Sequence, residues 1–121
     1  VRARRLERLM RALCRLADIP DGGCRGFAPP PGGITGLFAL RRGEQVMIYV
    51  NACPHLGVLL DWAPDRFLSA DGTQIVCSTH GALFDPQDGL CTDGPCAGDY
   101  LQAVPAEVRD GLVLVPGDGG L

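Results

Sequence analysis

The chain has 121 residues, of which 46% are hydrophobic and 21% charged, a balance that fits one globular domain and excludes disorder along the whole length. All 11 basic residues are Arg, the acids number 14, and the formal net charge is -3, which argues against a nucleic-acid-binding surface spread over the protein. No apolar run approaches the roughly 18 residues of a membrane span, and the start lacks a signal-peptide pattern, so no membrane span and a cytoplasmic location are expected.

Charge is unevenly placed. Residues 1–15 carry six Arg against the single Glu7, while residues 16–121 carry five Arg against 13 acids. The basic arm, residues 1–13, reads as a helix: Leu6, Leu9, Met10 and Leu13 recur at helical spacing, with no Gly or Pro before Pro20. Docking on the domain is the simpler role for it, contact with an anionic membrane surface the other. Residues 20–36, rich in Gly and Pro, read as loop. Leu37-Phe38-Ala39-Leu40 and the run from Gln45 to Val50 read as a hairpin across the turn signal Arg41-Arg42-Gly43-Glu44. Ile75-Val76 is a further strand. Ala106 to Arg109 and Leu112 to Val115 flank Asp110-Gly111, a strong short-range hairpin signal. Residues 117–121 read as a flexible tail. Short strands among many turns predict an antiparallel all-β domain.

The chemistry concentrates in two short segments. The only two His, His55 and His80, each stand beside a Cys, in Cys53-Pro54-His55 and Cys77-Ser78-Thr79-His80. Each group follows a strand-like run, so each pair falls on a loop held by a sheet. Two separate structural Cys and two separate structural His would not be expected to pair in this way. Four soft or borderline donors suit a metal: zinc held tetrahedrally, or a two-iron cluster with the Cys on one iron and the His on the other. The order Cys, His, Cys, His differs from the common zinc finger, in which both Cys precede both His.

The words Cys53-Pro54-His55-Leu56-Gly57 and Cys77-Ser78-Thr79-His80-Gly81, followed by Phe84-Asp85, Gly89, Gly94-Pro95 and Leu101, resemble the Rieske [2Fe-2S] family over residues 14–116. The resemblance implies an all-β Rieske fold of three antiparallel sheets, with a cluster-binding loop subdomain at about residues 51–97, here preceded by the short helix. It implies one [2Fe-2S] cluster per chain, with Cys53 and Cys77 on one iron and His55 and His80 on the other. Leu56, Gly57, Gly81, Ala82, Phe84, Gly94 and Pro95 would form the cluster's surroundings, and Gly94-Pro95 matches the loop lying over it. No catalytic residue is implied, because the family's usual role is one-electron transfer.

High-potential members carry an extra Cys in each ligand loop, where this chain has Val58 and Thr79, and hydroxyls where it has Ala82 and Phe84. Hydrogen bonds to sulfur favour the reduced cluster, so their loss lowers the potential, and in this the chain resembles the low-potential, oxygenase-associated branch. The implied partners are a flavin-dependent reductase upstream and an oxygenase downstream, with the chain a monomer or weak homo-oligomer. The alternatives are a small subunit of a larger oxidoreductase such as a nitrite reductase, and an iron–sulfur or zinc-stabilised binding or sensor module. Cys91 and Cys96 flank Gly94-Pro95. A loop of that size suits a disulfide, but free thiols are the expectation in a cytoplasmic protein. Cys14 and Cys24 read as structural, and Trp62 as a packing residue. The acids from Asp61 to Asp99 would repel anions or attract a basic partner, though scattered acids are commonly just a solvated surface.

Overall fold

A computed structural model describes residues 10–29, 36–54, 60, 65–77 and 81–116. They form three antiparallel sheets. The first joins β1 (Met10–Arg15), β10 (Leu112–Pro116) and β9 (Glu107–Arg109), in the order β1-β10-β9. The second has the order β2-β3-β4-β8, with β2 at Cys24–Phe27, β3 at Leu37–Arg42, β4 at Gln45–Val50 and β8 at Ala103–Val104. The third is small and has the order β5-β6-β7, from Ile75–Val76, Leu83–Phe84 and Cys91–Asp93. The all-β reading and its three-sheet architecture hold.

Both expected hairpins form. The β3–β4 ladder runs from Leu37 opposite Val50 to Arg42 opposite Gln45, so each strand extends to the edge of the Gly43-Glu44 turn. At the second, Asp110 and Gly111 have φ of 53° and 76°, the left-handed pair that a two-residue turn with matching twist requires.

Two expectations fail. The helix of the basic arm does not extend over residues 10–13, which belong to strand β1; residues 1–9 lie outside the described residues. The cause is tertiary. Strand β10 carries the fully buried Val113 and Val115, and Leu13 and Cys14 pack against that cluster from β1. Pairing with β10 satisfies both backbones and outweighs a modest helical propensity. β1 thus belongs to the same sheet as β9 and β10. Within the loop expected at residues 20–36, Cys24–Phe27 is a strand, paired in register with Leu37–Leu40. Gly26 hides it from a composition reading, yet a glycine is what fits: a Cβ there would lie 3.1 Å from the Phe67 ring. Phe67 in turn stacks on Phe38, with ring centroids 4.4 Å apart and planes 6° from parallel.

The apolar interior has two parts. One lies between the first two sheets and includes Ile19, Ala39, Ile48, Val50, Val113 and Val115. The other joins the second sheet to the third and contains Phe38, Tyr49, Leu60, Phe67, Ile75 and Phe84. This second part also holds four cysteines, Cys53, Cys77, Cys91 and Cys96.

Candidate metal centre

The segment with Cys53 leaves the second sheet directly after β4. Asn51 is buried and closes this loop: its backbone N–H donates to the Gly36 carbonyl at 2.9 Å, and its side-chain Oδ1 accepts from the Leu60 N–H at 2.8 Å. One amide side chain thus ties the two ends of the stretch containing Cys53 and His55. Cys53 itself is 1% exposed. His55, Leu56, Gly57 and Trp62 lie outside the described residues.

The second segment is the end of the β5–β6 hairpin. The Cys77 N–H donates to the Ala82 carbonyl at 2.9 Å, and the Gly81 N–H returns to the Cys77 carbonyl at 2.9 Å. Gly81 has φ +68°, the left-handed conformation that lets the chain turn back into β6. Cys77 is fully buried, while Ser78, Thr79 and His80 lie outside the described residues.

A third segment lies against Ala82. In β7, Asp93 pairs with Leu83, and Cys91 with Phe84. The chain then turns through Gly94-Pro95, which brings Gly94 onto Ala82. Ala82 and Phe84 are fully buried, with Phe84 paired on its other side to Ile75. The structure therefore gathers Cys53, Cys77, Ala82, Phe84 and Gly94 at the junction of the second and third sheets.

Two thiols at the mouths of adjacent loops, both withdrawn from water, are the donor chemistry a sulfur-ligated iron asks for. Among the described residues no group of three or more His, Cys, Asp or Glu side chains is arranged to hold a metal. Cys53, Cys91 and Cys96 are neighbours without forming such a group. Burial first, then the thiols of Cys91 and Cys53 beside it, pushes the Cys96 thiol above its ordinary range, so it stays protonated.

Sequence reasoning missed two contributors. Asn51 gave no motif signal, since its role depends on Leu60 nine residues away. Tyr49 reads as an ordinary strand residue. It is buried, and its hydroxyl donates to the Pro86 carbonyl at 2.7 Å, which pins the β6–β7 turn to the second sheet. Burial pushes its pKa up to about 12, with Asp88 and Asp85 adding to the shift. Electrostatically the region is one-sided: residues 67–108 contain Asp71, Asp85, Asp88, Asp93, Asp99 and Glu107, and no Arg or Lys. Tyr100, 59% exposed, stands beside Asp99 on this surface.

Comparison with known proteins adds three kinds of finding. The Rieske [2Fe-2S] domain profile matches residues 12–107. A chain from the complex of reduced oxygenase and oxidised ferredoxin in carbazole 1,9a-dioxygenase is similar at 26% identity and a TM-score of 0.71, with 93% of this chain and 97% of that one covered. The ferredoxin of Sphingomonas yanoikuyae B1 is similar at 25% identity and a TM-score of 0.68, covering 88% and 96%. The ferredoxin of carbazole 1,9a-dioxygenase from Nocardioides aromaticivorans IC177 shares the fold at 23% identity and a TM-score of 0.69, again over 88% and 96%. Comparison with curated proteins finds no match. The profile spans most of the chain, the three sheets are those the resemblance implied, and both cysteines of the motif pair are buried in the same core: the chain belongs to the Rieske [2Fe-2S] domain family.

Proposed function

We propose that this protein is a one-electron carrier, the ferredoxin component that delivers electrons to an oxygenase. The observation that carries the reading is the likeness, along nearly the whole length of both chains, to a chain of an oxygenase–ferredoxin complex. Cys53 and Cys77 hold one iron and His55 and His80 the other, within a cluster-binding unit of about residues 51–97. The bound cluster supplies one-electron oxidation and reduction. The protein's own part is to keep the thiolates dry, to fix the loop ends through Asn51 and the Cys77–Ala82 bonds, and to present a docking face. The absence of Arg and Lys from residues 67–108 suits a partner surface rich in basic side chains. A flavin-dependent reductase upstream and a cytoplasmic location complete the reading. Among the described residues no helix is long and apolar enough to cross a membrane.

Anaerobic purification tests it. Two irons and two acid-labile sulfides per chain are expected, with a Rieske-type paramagnetic signal after reduction. The reduced protein should be reoxidised by an oxygenase and remain unchanged as a carrier over many cycles. Cys53→Ala, His55→Ala, Cys77→Ala and His80→Ala should each lose the normal cluster, and Cys91→Ala should retain it. One zinc per chain with no labile sulfide would overturn the reading.

A further inference from the structure

The mechanism above leaves two buried cysteines without a task. Cys91 and Cys96 are 2% and 3% exposed, and both are free thiols in the structure. Their sulfurs are 3.0 Å apart, with the Cys96 thiol donating to Cys91 Sγ and the Cys91 thiol donating to the Asp93 carbonyl at 3.2 Å. This is closer than two non-bonded sulfurs normally approach. A disulfide bond of 2.03–2.05 Å requires a further approach of only about 1 Å.

The backbone holds the two residues in that position. The Cys91 N–H donates to the Asp99 carbonyl at 2.8 Å, the Gly98 N–H donates to the Cys91 carbonyl at 3.0 Å, and the Asp99 N–H donates to the Cys96 carbonyl at 2.8 Å. These three bonds fold residues 91–99 into one closed turn with both sulfurs inside it. The other end of the turn is Gly94, which rests on Ala82, whose carbonyl accepts from Cys77. Cys14 and Cys24 have no such arrangement: Cys14 lies in strand β1, and the Cys24 thiol donates to the Asp65 carbonyl at 3.2 Å.

We propose that Cys91 and Cys96 are an oxidisable thiol pair, closed by peroxide to an intrachain disulfide that braces the turn lying on Ala82. One thiol reduces hydrogen peroxide to water and becomes a sulfenic acid. The second thiol then attacks that sulfur, the S–S bond forms, and the displaced hydroxide leaves with the thiol proton as a second water. Two electrons pass from the pair to the peroxide, and a dithiol reductant returns them. Neither residue belongs to the ligand set Cys53, His55, Cys77 and His80, but the Cys96 thiol lies beside Cys53, so iron content is followed through closure.

The test uses the iron-loaded full chain, purified with its thiols reduced. It is treated with one to a few equivalents of hydrogen peroxide, alkylated while denatured, digested and mapped by mass. The expected product carries a Cys91–Cys96 cross-link two hydrogens lighter than the dithiol. It reverts with dithiothreitol and arises while the iron and labile-sulfide content stays unchanged. Cys96→Ala should abolish the cross-link, and Cys14 and Cys24 should be alkylated equally before and after peroxide. A Cys91 and Cys96 pair that stays fully alkylated would overturn the proposal. So would a cross-link joining other cysteines, irreversible sulfinic acid at either position, or loss of iron before cross-linking. Iron and sulfide content before peroxide addition reports separately on the electron-carrier reading.

Discussion

Gly94 rests directly on Ala82: a Cβ built at Gly94 would lie 2.8 Å from the Ala82 Cα and 3.1 Å from its Cβ. Both partners are backbone or methyl, so neither can swing aside. Gly94 also has φ +101°, where an L side chain is strained. Gly94→Ala should therefore push residues 91–96 away from the β5–β6 hairpin end. Overpacking of this kind costs about 1–3 kcal/mol, before backbone strain is added. Thermal unfolding should show a clear drop in Tm. Iron should also leave to a chelator faster than in the parent protein, because the same contact backs Ala82, whose carbonyl accepts from the Cys77 N–H. An unchanged Tm would show that the turn yields freely.

Asn51 bonds to the Leu60 N–H and the Gly36 carbonyl and so closes the stretch that contains Cys53. Asn51→Ala leaves the Leu60 N–H without its acceptor at a fully buried position. An unsatisfied buried donor costs about 1–3 kcal/mol. Lower stability is expected together with reduced iron content per chain, since the stretch between Asn51 and Leu60 contains Cys53 and His55. A variant equally destabilised in the distant β9–β10 hairpin serves as control and should keep its iron.

The sequence disclosed most where a short-range rule operates. Asp110-Gly111 has the backbone angles that its turn type demands, and Cys53 and Cys77 each follow a strand, β4 and β5, as the apolar runs before them suggest. It disclosed least where a distant partner decides. The segment from Met10 to Arg15 has helical spacing but becomes a strand because β10 offers an edge and a buried face. Cys24–Phe27 looks like loop because its Gly26 serves a ring brought from position 67. Asn51 and the Cys91–Cys96 contact depend on how loops close, which no periodicity records.

Tyr49 links stability to alkaline pH. Its folded pKa, about 12, lies above the ordinary 10 because burial disfavours the phenolate. A raised pKa means that the unfolded chain loses the proton first. The stabilisation is fully present below pH 10 and disappears as pH climbs through about 12. Denaturant midpoints should fall over that window. Tyr49→Phe should remove this residue's share of the fall and lower stability at neutral pH by about 1–3 kcal/mol, by leaving the buried Pro86 carbonyl without its donor. A pH profile identical in the two proteins would remove Tyr49 as the cause.

Cluster potential provides the sharpest test of the surroundings. Phe84 is fully buried between Ile75 and Cys91 on neighbouring strands, in the same core as Cys53 and Cys77. It has no hydroxyl, and neither does Ala82. The potential is expected toward the low end of the Rieske range of roughly -150 to +300 mV. Phe84→Tyr supplies a hydroxyl where resemblance to high-potential members places a hydrogen bond to the cysteine sulfur. The reduced cluster carries one more negative charge, so such a bond strengthens on reduction. If it favours the reduced state by about 1.5 kcal/mol, a one-electron couple rises by roughly 65 mV, since 59 mV is a tenfold change in equilibrium. Ala82→Ser is the harder variant, because Gly94 already lies against that methyl group. Protein-film voltammetry of the parent and Phe84→Tyr decides the matter. A parent potential near the upper limit, or a fall on adding the hydroxyl, would show that packing rather than hydrogen bonding to sulfur sets the potential here.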